Sequence, residues 1–268
     1  MSGPQWLRPR WPAPSTVRAA FTLRGGGASR GGYAALNLGA HVGDDPLAVA
    51  HNRALLHAAL ALPAEPAWLE QQHGLRVADL DREGMPCAPA DAALTRAPGR
   101  VCAVLVADCL PVLFATRHGD AVAAAHAGWR GLAGGVIEAT VRALGAEGAE
   151  LLAWLGPSIG PRRFEVGEEV RAAFLDADPG GAAAFRRNER GRWLCDLATL
   201  ARRRLAALGV RAVTDESACT FEDPARFYSH RREQPTGRMA ALVWMADSPG
   251  APERGGAVLE SLPAPPGC

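Results

Sequence analysis

Apolar positions along the chain fall into short blocks set apart by glycine, proline and charged residues. Residues 17–23 read as a strand that stops at Arg24-Gly-Gly-Gly27. At 46–60 the spacing changes: Leu47, Ala50, Ala54 and Leu55 recur at helical intervals, and a helix is predicted there. Strand signals follow at 67–72, 101–107, 111–116 and 121–125, with Arg117-His-Gly-Asp120 as the hairpin turn between the last two. Beyond Gly131 a helix is expected to run to Leu144 through Val136, Ile137, Thr140 and Val141, and to stop at Gly145. A strand at 151–155, helices at 165–174 and 196–208, and strands near 212–219 and 239–245 complete the pattern. Strands and helices alternate, but the hairpin breaks the alternation. The class implied is α/β (α+β), with mixed sheets in layers.

Residues 1–15 and 247–268 are rich in proline, glycine and small residues without periodicity, so both ends are expected to be poorly ordered. The remainder, 16–246, reads as a single domain. A chain of 268 residues with 48% hydrophobic content can bury a sizeable core. Its net charge is +1, and all 29 basic residues are arginine. That balance offers no footprint for nucleic acid or an anionic membrane. No apolar run is long enough to cross a bilayer, and the N-terminus has no secretory signal, so the cytoplasm is the expected compartment. The cysteines at 87, 102, 109, 195, 219 and 268 form no C-x-x-C pair, which argues for reduced thiols over a disulfide framework or a zinc ribbon.

Candidate chemistry gathers at strand ends. Cys109 follows the buried-type strand 101–107, between Asp108 and a turn that contains Pro111. There a side chain can face a cleft while its backbone stays anchored. Cys102 and Cys195 read as packed core thiols; for Cys109 a packed thiol and a functional one both stay open. His126 ends the strand 121–125 and precedes Gly128-Trp-Arg-Gly131, a glycine-rich passage into a helix whose free N–H groups favour an anion. Arg130 could add a charge-assisted pair to phosphate. His73 stands in Gln71-Gln-His-Gly74. With Cys109 and His126 it could complete a metal site, and Cys109 with His126 could equally form a nucleophilic dyad. No local spacing decides between them. His41 and His230 lie in polar loops that could border a cleft, while His51, His57 and His118 read as packing or solvated residues. The turn at Arg24 lacks the order of a nucleotide-phosphate loop. Phe227-Tyr-Ser-His-Arg-Arg232 combines aromatic faces with guanidinium groups, as a stacked base beside an anion requires.

Read in order, Thr22-Leu-Arg-Gly-Gly26, Leu36-Asn-Leu-Gly-Ala-His-Val-Gly-Asp44, Gln72-His-Gly74, Ala107-Asp-Cys-Leu-Pro111, His126-Ala-Gly-Trp-Arg-Gly131, Phe164-Glu-Val-Gly167 and Thr236-Gly-Arg238 resemble the motifs of the YfiH-like family. That family is labelled multicopper polyphenol oxidase or laccase, and is also described as purine nucleoside phosphorylases with a His–Cys–His zinc site. The resemblance implies a layered α/β/β/α fold and His73, Cys109 and His126 as ligands of Zn2+. It departs where the family often has cysteine: here Arg162 and Arg163 follow Pro161, and Glu222 stands three residues beyond Cys219.

The laccase label fails on arithmetic. A trinuclear copper cluster with a blue-copper centre needs many imidazoles, usually in His-x-His pairs. This chain has seven histidines, no His-x-His and none beside Cys109. One copper could still occupy the same site. The resemblance implies a purine nucleoside phosphorylase acting on adenosine, inosine and 5′-methylthioadenosine with phosphate. Arg130 is the first candidate to hold the phosphate, with Arg24 and Arg231 behind it. A metal that lowers the pKa of water toward about 7 would also explain adenosine deamination, with Asp108 or Asp91 as proton shuttle. The competing classes are a metal-free Cys109/His126 hydrolase of peptidoglycan-derived amides and a module that binds a nucleoside without turnover.

Overall fold

A computed structural model describes residues 3–86, 88–246 and 257–259. In chain order its strands and α-helices are β1 (Gln5–Leu7), β2 (Val17–Thr22), α1 (Pro46–Leu60), β3 (Ala67–Trp68), β4 (Val77–Asp79), α2 (Leu80–Glu83), β5 (Ala92–Thr95), β6 (Val101–Val106), β7 (Leu110–Thr116) and β8 (Val122–Ala127). There follow α3 (Trp129–Gly134), α4 (Val136–Leu144), β9 (Leu151–Leu155), β10 (Glu165–Val166), α5 (Glu168–Leu175), β11 (Phe185–Arg187), β12 (Trp193–Cys195), α6 (Leu197–Ala207), β13 (Ala212–Asp215), β14 (Met239–Met245) and β15 (Ala257–Leu259).

Two six-stranded mixed sheets carry the fold, in the orders β15-β1-β2-β14-β6-β3 and β13-β9-β7-β8-β5-β4. Each is antiparallel at its centre and parallel at both edges. Side chains alternate across a strand, and the three apolar clusters follow that alternation. On β6, Val101, Ala103 and Leu105 pack toward Leu56 and Leu60 of α1, while Cys102, Val104 and Val106 join Leu113, Val122 and Trp154 between the sheets. The far face of the second sheet, with Val112, Phe114 and Ala125, packs against Ile137, Phe174 and Leu200 of α4, α5 and α6. The layers are α/β/β/α, as the family resemblance implied. A three-stranded sheet, β10-β12-β11, extends the helical side.

Several expectations need correction. Trp6 and Leu7, in the segment expected to be poorly ordered, are buried, and β1 pairs with β2, because two large apolar side chains outweigh the flanking prolines. Of the tail 247–268, expected to be disordered, only Ala257–Leu259 lies within the described residues, and it pairs parallel with β1. The helix expected from Gly131 to Leu144 is two helices. Gly135, at φ 105°, caps α3 and starts α4, a backbone conformation that costs glycine least. The strand read at 67–72 keeps only Ala67–Trp68, and the helix read from 165 starts at Glu168 because Glu165–Val166 pairs with β12.

Candidate metal centre

Strand register builds the site. Ala92 of β5 lies opposite Ala125 of β8, which sets Asp91 beside His126; Pro111 of β7 lies opposite His126, which sets Cys109 beside Gly128. His73 comes from the loop between β3 and β4, and Cys109 from the turn between β6 and β7. The Cys109 Sγ lies 3.8 Å from His73 Nε2, and the His73 and His126 rings meet edge to face with centroids 4.8 Å apart. One donor atom from each of the three residues falls within 4.8 Å of the others, with His126 buried, Cys109 half-buried and His73 exposed. Gly128 gives them room: a Cβ there would stand 2.8 Å from His73 Cδ2 and 3.0 Å from Cys109 Sγ.

Asp91 organises two of the three. Its carboxylate accepts the backbone N–H groups of Gln72, His73 and Gly74 at 3.0, 2.9 and 2.7 Å. It also lies 2.8 Å from His126 Nδ1, which fixes that ring and leaves Nε2 toward the cluster. Although burial opposes its charge, the His126 and backbone hydrogen bonds outweigh it and hold Asp91 below the ordinary carboxylate range. Burial likewise disfavours a Cys109 thiolate, but the charge and hydrogen bonds of His126, then of His73, bring its pKa down to about 6. Burial opposes the charged His126 ring, yet Cys109 and Asp91 raise it to about 9. A thiolate near neutral pH is the form that binds metal or attacks carbon.

Asp108, named with Asp91 as a proton shuttle, anchors a loop. Its carboxylate accepts Thr220 Oγ1 at 2.6 Å, Ser229 Oγ at 3.0 Å and the Arg231 N–H at 2.7 Å, tying the late loop to the Cys109 turn. His73 and Asp108 both hold positive φ, 60° and 86°. Such backbone strain persists where surrounding bonds over-determine it, here the two aspartates.

The arginines named as phosphate candidates separate. Arg24 is bound to Ala34 O, Pro224 O and Glu233 and stacks on Tyr228. Arg231 donates to Glu165 O. Arg130 is exposed, stacked on Trp129 at 4.3 Å, two residues past the glycine that abuts the ligands. Cys102 and Cys195 are buried with thiol pKa values pushed up by burial, and with Cys109 and Cys219 they are free. Among the described residues no helix is long and apolar enough to cross a membrane. Sequence reasoning gave Asp91 no role in holding the ligands. The available signal was a lone carboxylate within Ala90-Asp-Ala-Ala93, an apolar setting in which a charge stays only if bonded.

The donor set, two imidazoles and a thiolate with a carboxylate behind one imidazole and one side open, suits a metal with a free coordination position. Over residues 18–246 the chain matches the family model described as multi-copper polyphenol oxidoreductase laccase, and it belongs to that family. It is 54% identical over 243 residues to the purine nucleoside phosphorylase PA4543 of Pseudomonas aeruginosa, covering 90% of this chain and 99% of the relative. It is 50% identical over 237 residues to the purine nucleoside phosphorylase YfiH of Escherichia coli, covering 88% and 97%. Among solved structures, protein NMB0706 of Neisseria meningitidis superposes with a TM-score of 0.87 at 45% identity, covering 90% of this chain and 99% of its own. The family's description and its relatives' names thus point to different chemistry. Among the described residues, His73, Cys109 and His126 are the one such cluster of possible ligands, too few for a multicopper centre.

Proposed function

We propose that this chain is a cytoplasmic purine nucleoside phosphorylase that uses Zn2+ held by His73, Cys109 and His126, with adenosine, inosine and S-methyl-5′-thioadenosine as substrates and adenosine deamination as a second activity. The observation that carries the reading is the half-open His–Cys–His cluster with Asp91 behind it. The names of relatives at 50–54% identity support it. In phosphorolysis a phosphate oxygen forms a bond to C1′ while the C1′–N9 bond breaks and its electron pair leaves with the base. A bound zinc ion would supply Lewis-acid polarisation at an open position. Orientation and anion binding fall to the chain. Arg130 receives phosphate from the exposed side, a role its exposure and its place two residues past Gly128 support. His126 is fixed by Asp91 in one ring orientation. Asp108 acts as a positioning residue for the Arg231 loop, which its carboxylate ties down through Thr220, Ser229 and the Arg231 N–H.

Zinc-loaded protein incubated with adenosine, with and without phosphate, tests this by chromatography. Adenine released only with phosphate is the expected result, with inosine formed in both samples, and His73→Ala is expected to lose metal and both products together. Absence of any product from zinc-loaded wild type overturns the reading.

The lowered pKa of Cys109 also favours a second reading, a cysteine hydrolase in which the Cys109 thiolate attacks an amide carbon, the C–N bond breaks as His126 gives its proton to the departing amine, and water then releases the acyl group as acid. That enzyme would keep its activity under chelation and lose it on Cys109 alkylation.

A further inference from the structure

Arg238 stands one residue before Met239, which pairs with Val106 at the end of β6. The chain leaves β6 there for Asp108 and Cys109, so Arg238 flanks the metal cluster from the first sheet. Its position is fixed by backbone bonds. The Arg238 N–H donates to Asn37 Oδ1 at 2.8 Å, and Leu38 N–H donates to Arg238 O at 3.1 Å. Gly39 admits the side chain, since a Cβ there would lie 2.8 Å from Arg238 Cγ. Nη1 donates to Thr236 O and Gly237 O at 3.0 Å each, which orients the guanidinium.

What this arginine lacks is an acid. Arg24, Arg204 and Arg232, also partly buried, each pair with Glu233 or Glu138. Arg238 has no ion pair among the described residues, and its Nε and Nη2 have no protein acceptor there. Burial lowers its pKa, with Cys109 and Asp108 the foremost anionic neighbours opposing. Both are already engaged: Asp108 accepts three hydrogen bonds, and Cys109 belongs to the metal cluster. His41 and His230 complete the surroundings, each held toward its neutral form by burial and then by Arg238. A half-buried guanidinium with two free donors in a fork is suited to a tetrahedral oxyanion.

We propose that Arg238 binds the anionic co-substrate, inorganic phosphate, from the inner side of the site, flanked by His41 and His230. The assignment rests on the phosphorylase reading and adds a binding residue to it. It completes a pair of arginines, Arg130 at the exposed side and Arg238 within.

The test has two arms. In steady-state kinetics with inosine saturating, Arg238→Ala is expected to raise the phosphate KM about 10- to 100-fold, the loss of one or two charge-assisted bonds. The inosine KM should change by less than about twofold, and zinc content should stay at the wild-type level. Arg238→Lys, which keeps the charge but not the fork, should fall between. An unchanged phosphate KM in an active Arg238→Ala overturns the assignment, whereas no phosphate-dependent cleavage by wild type overturns the phosphorylase reading. The second arm needs no turnover: calorimetric titration of inorganic phosphate into zinc-loaded protein should show at least about tenfold weaker binding to Arg238→Ala. Equal binding to both proteins, or to neither, overturns the assignment whatever the kinetics show.

Discussion

Asp91 and Asp108 are both buried carboxylates in connections at the edge of the His73–Cys109–His126 cluster, and they hold different things by different bonds. Asp91 takes three backbone N–H groups and the His126 ring. Asp108 takes two hydroxyls and one backbone N–H. The difference matters because a hydroxyl can turn and accept where a backbone N–H cannot. The Asp91 cradle has no alternative arrangement, whereas the Asp108 anchor has two groups able to reverse.

The largest effect is therefore expected at Asp91. Asp91→Asn sets an amide N–H2 against backbone donors, and should weaken zinc binding about 10- to 100-fold while lowering stability by about 2–4 kcal/mol. Competition with a chelating dye and urea unfolding read the two quantities. Asp108→Asn should cost only about 1–2 kcal/mol, because the amide N–H2 can face Thr220, whose hydroxyl turns to accept it, while the amide oxygen keeps Ser229 and the Arg231 N–H. Its zinc affinity should stay within about threefold of wild type, and limited proteolysis should cut faster near 219–232. Equal losses in the two variants would erase the distinction.

The smallest effect sharpens it. In metal-stripped protein the thiolate of Cys109, titrating near pH 6, should be alkylated at pH 7 while the buried Cys102 and Cys195 are spared. A depressed folded pKa stabilises the fold above the unfolded thiol's pKa, and that contribution is lost as pH falls through about 6. Asp91 helps keep His126 charged, and that charge favours the thiolate. Asp91→Asn should thus move the alkylation midpoint upward. Asp108→Asn should leave it in place, and peptide mapping of the labelled cysteine across pH checks both.

Much of this architecture is legible in the sequence, for reasons visible residue by residue. Pro46–Leu60 was read at its observed bounds but on the wrong face: Leu47, Ala50 and Ala54 are exposed, and Val49, Leu56 and Leu60 are the buried side chains. Strands β6, β7, β9 and β14 are uninterrupted apolar runs, the signature of elements covered on both faces. Strand β5 left no such mark, since Ala92–Thr95 is only four residues long and Leu94 is its one large apolar side chain. The break at Gly135 is hidden within otherwise continuous helical spacing. The cluster itself lay beyond periodicity. His73 and Cys109 are 36 positions apart and Asp91 and His126 are 35 apart, so motif order pointed to the ligands while only strand register shows what supports them.

The chain crosses from the first sheet to the second between β3 and β4 and again between β6 and β7. His73 sits on the first crossing and Cys109 on the second, while His126 belongs to the second sheet itself. A cation bound to all three would act as a rivet through two separate seams, so that sliding one sheet over the other must break coordination. Saturation a hundredfold above the dissociation constant would then add about 2.7 kcal/mol to the cohesion of the sandwich. Metal supply would set the mechanical durability of the whole domain as well as its chemistry.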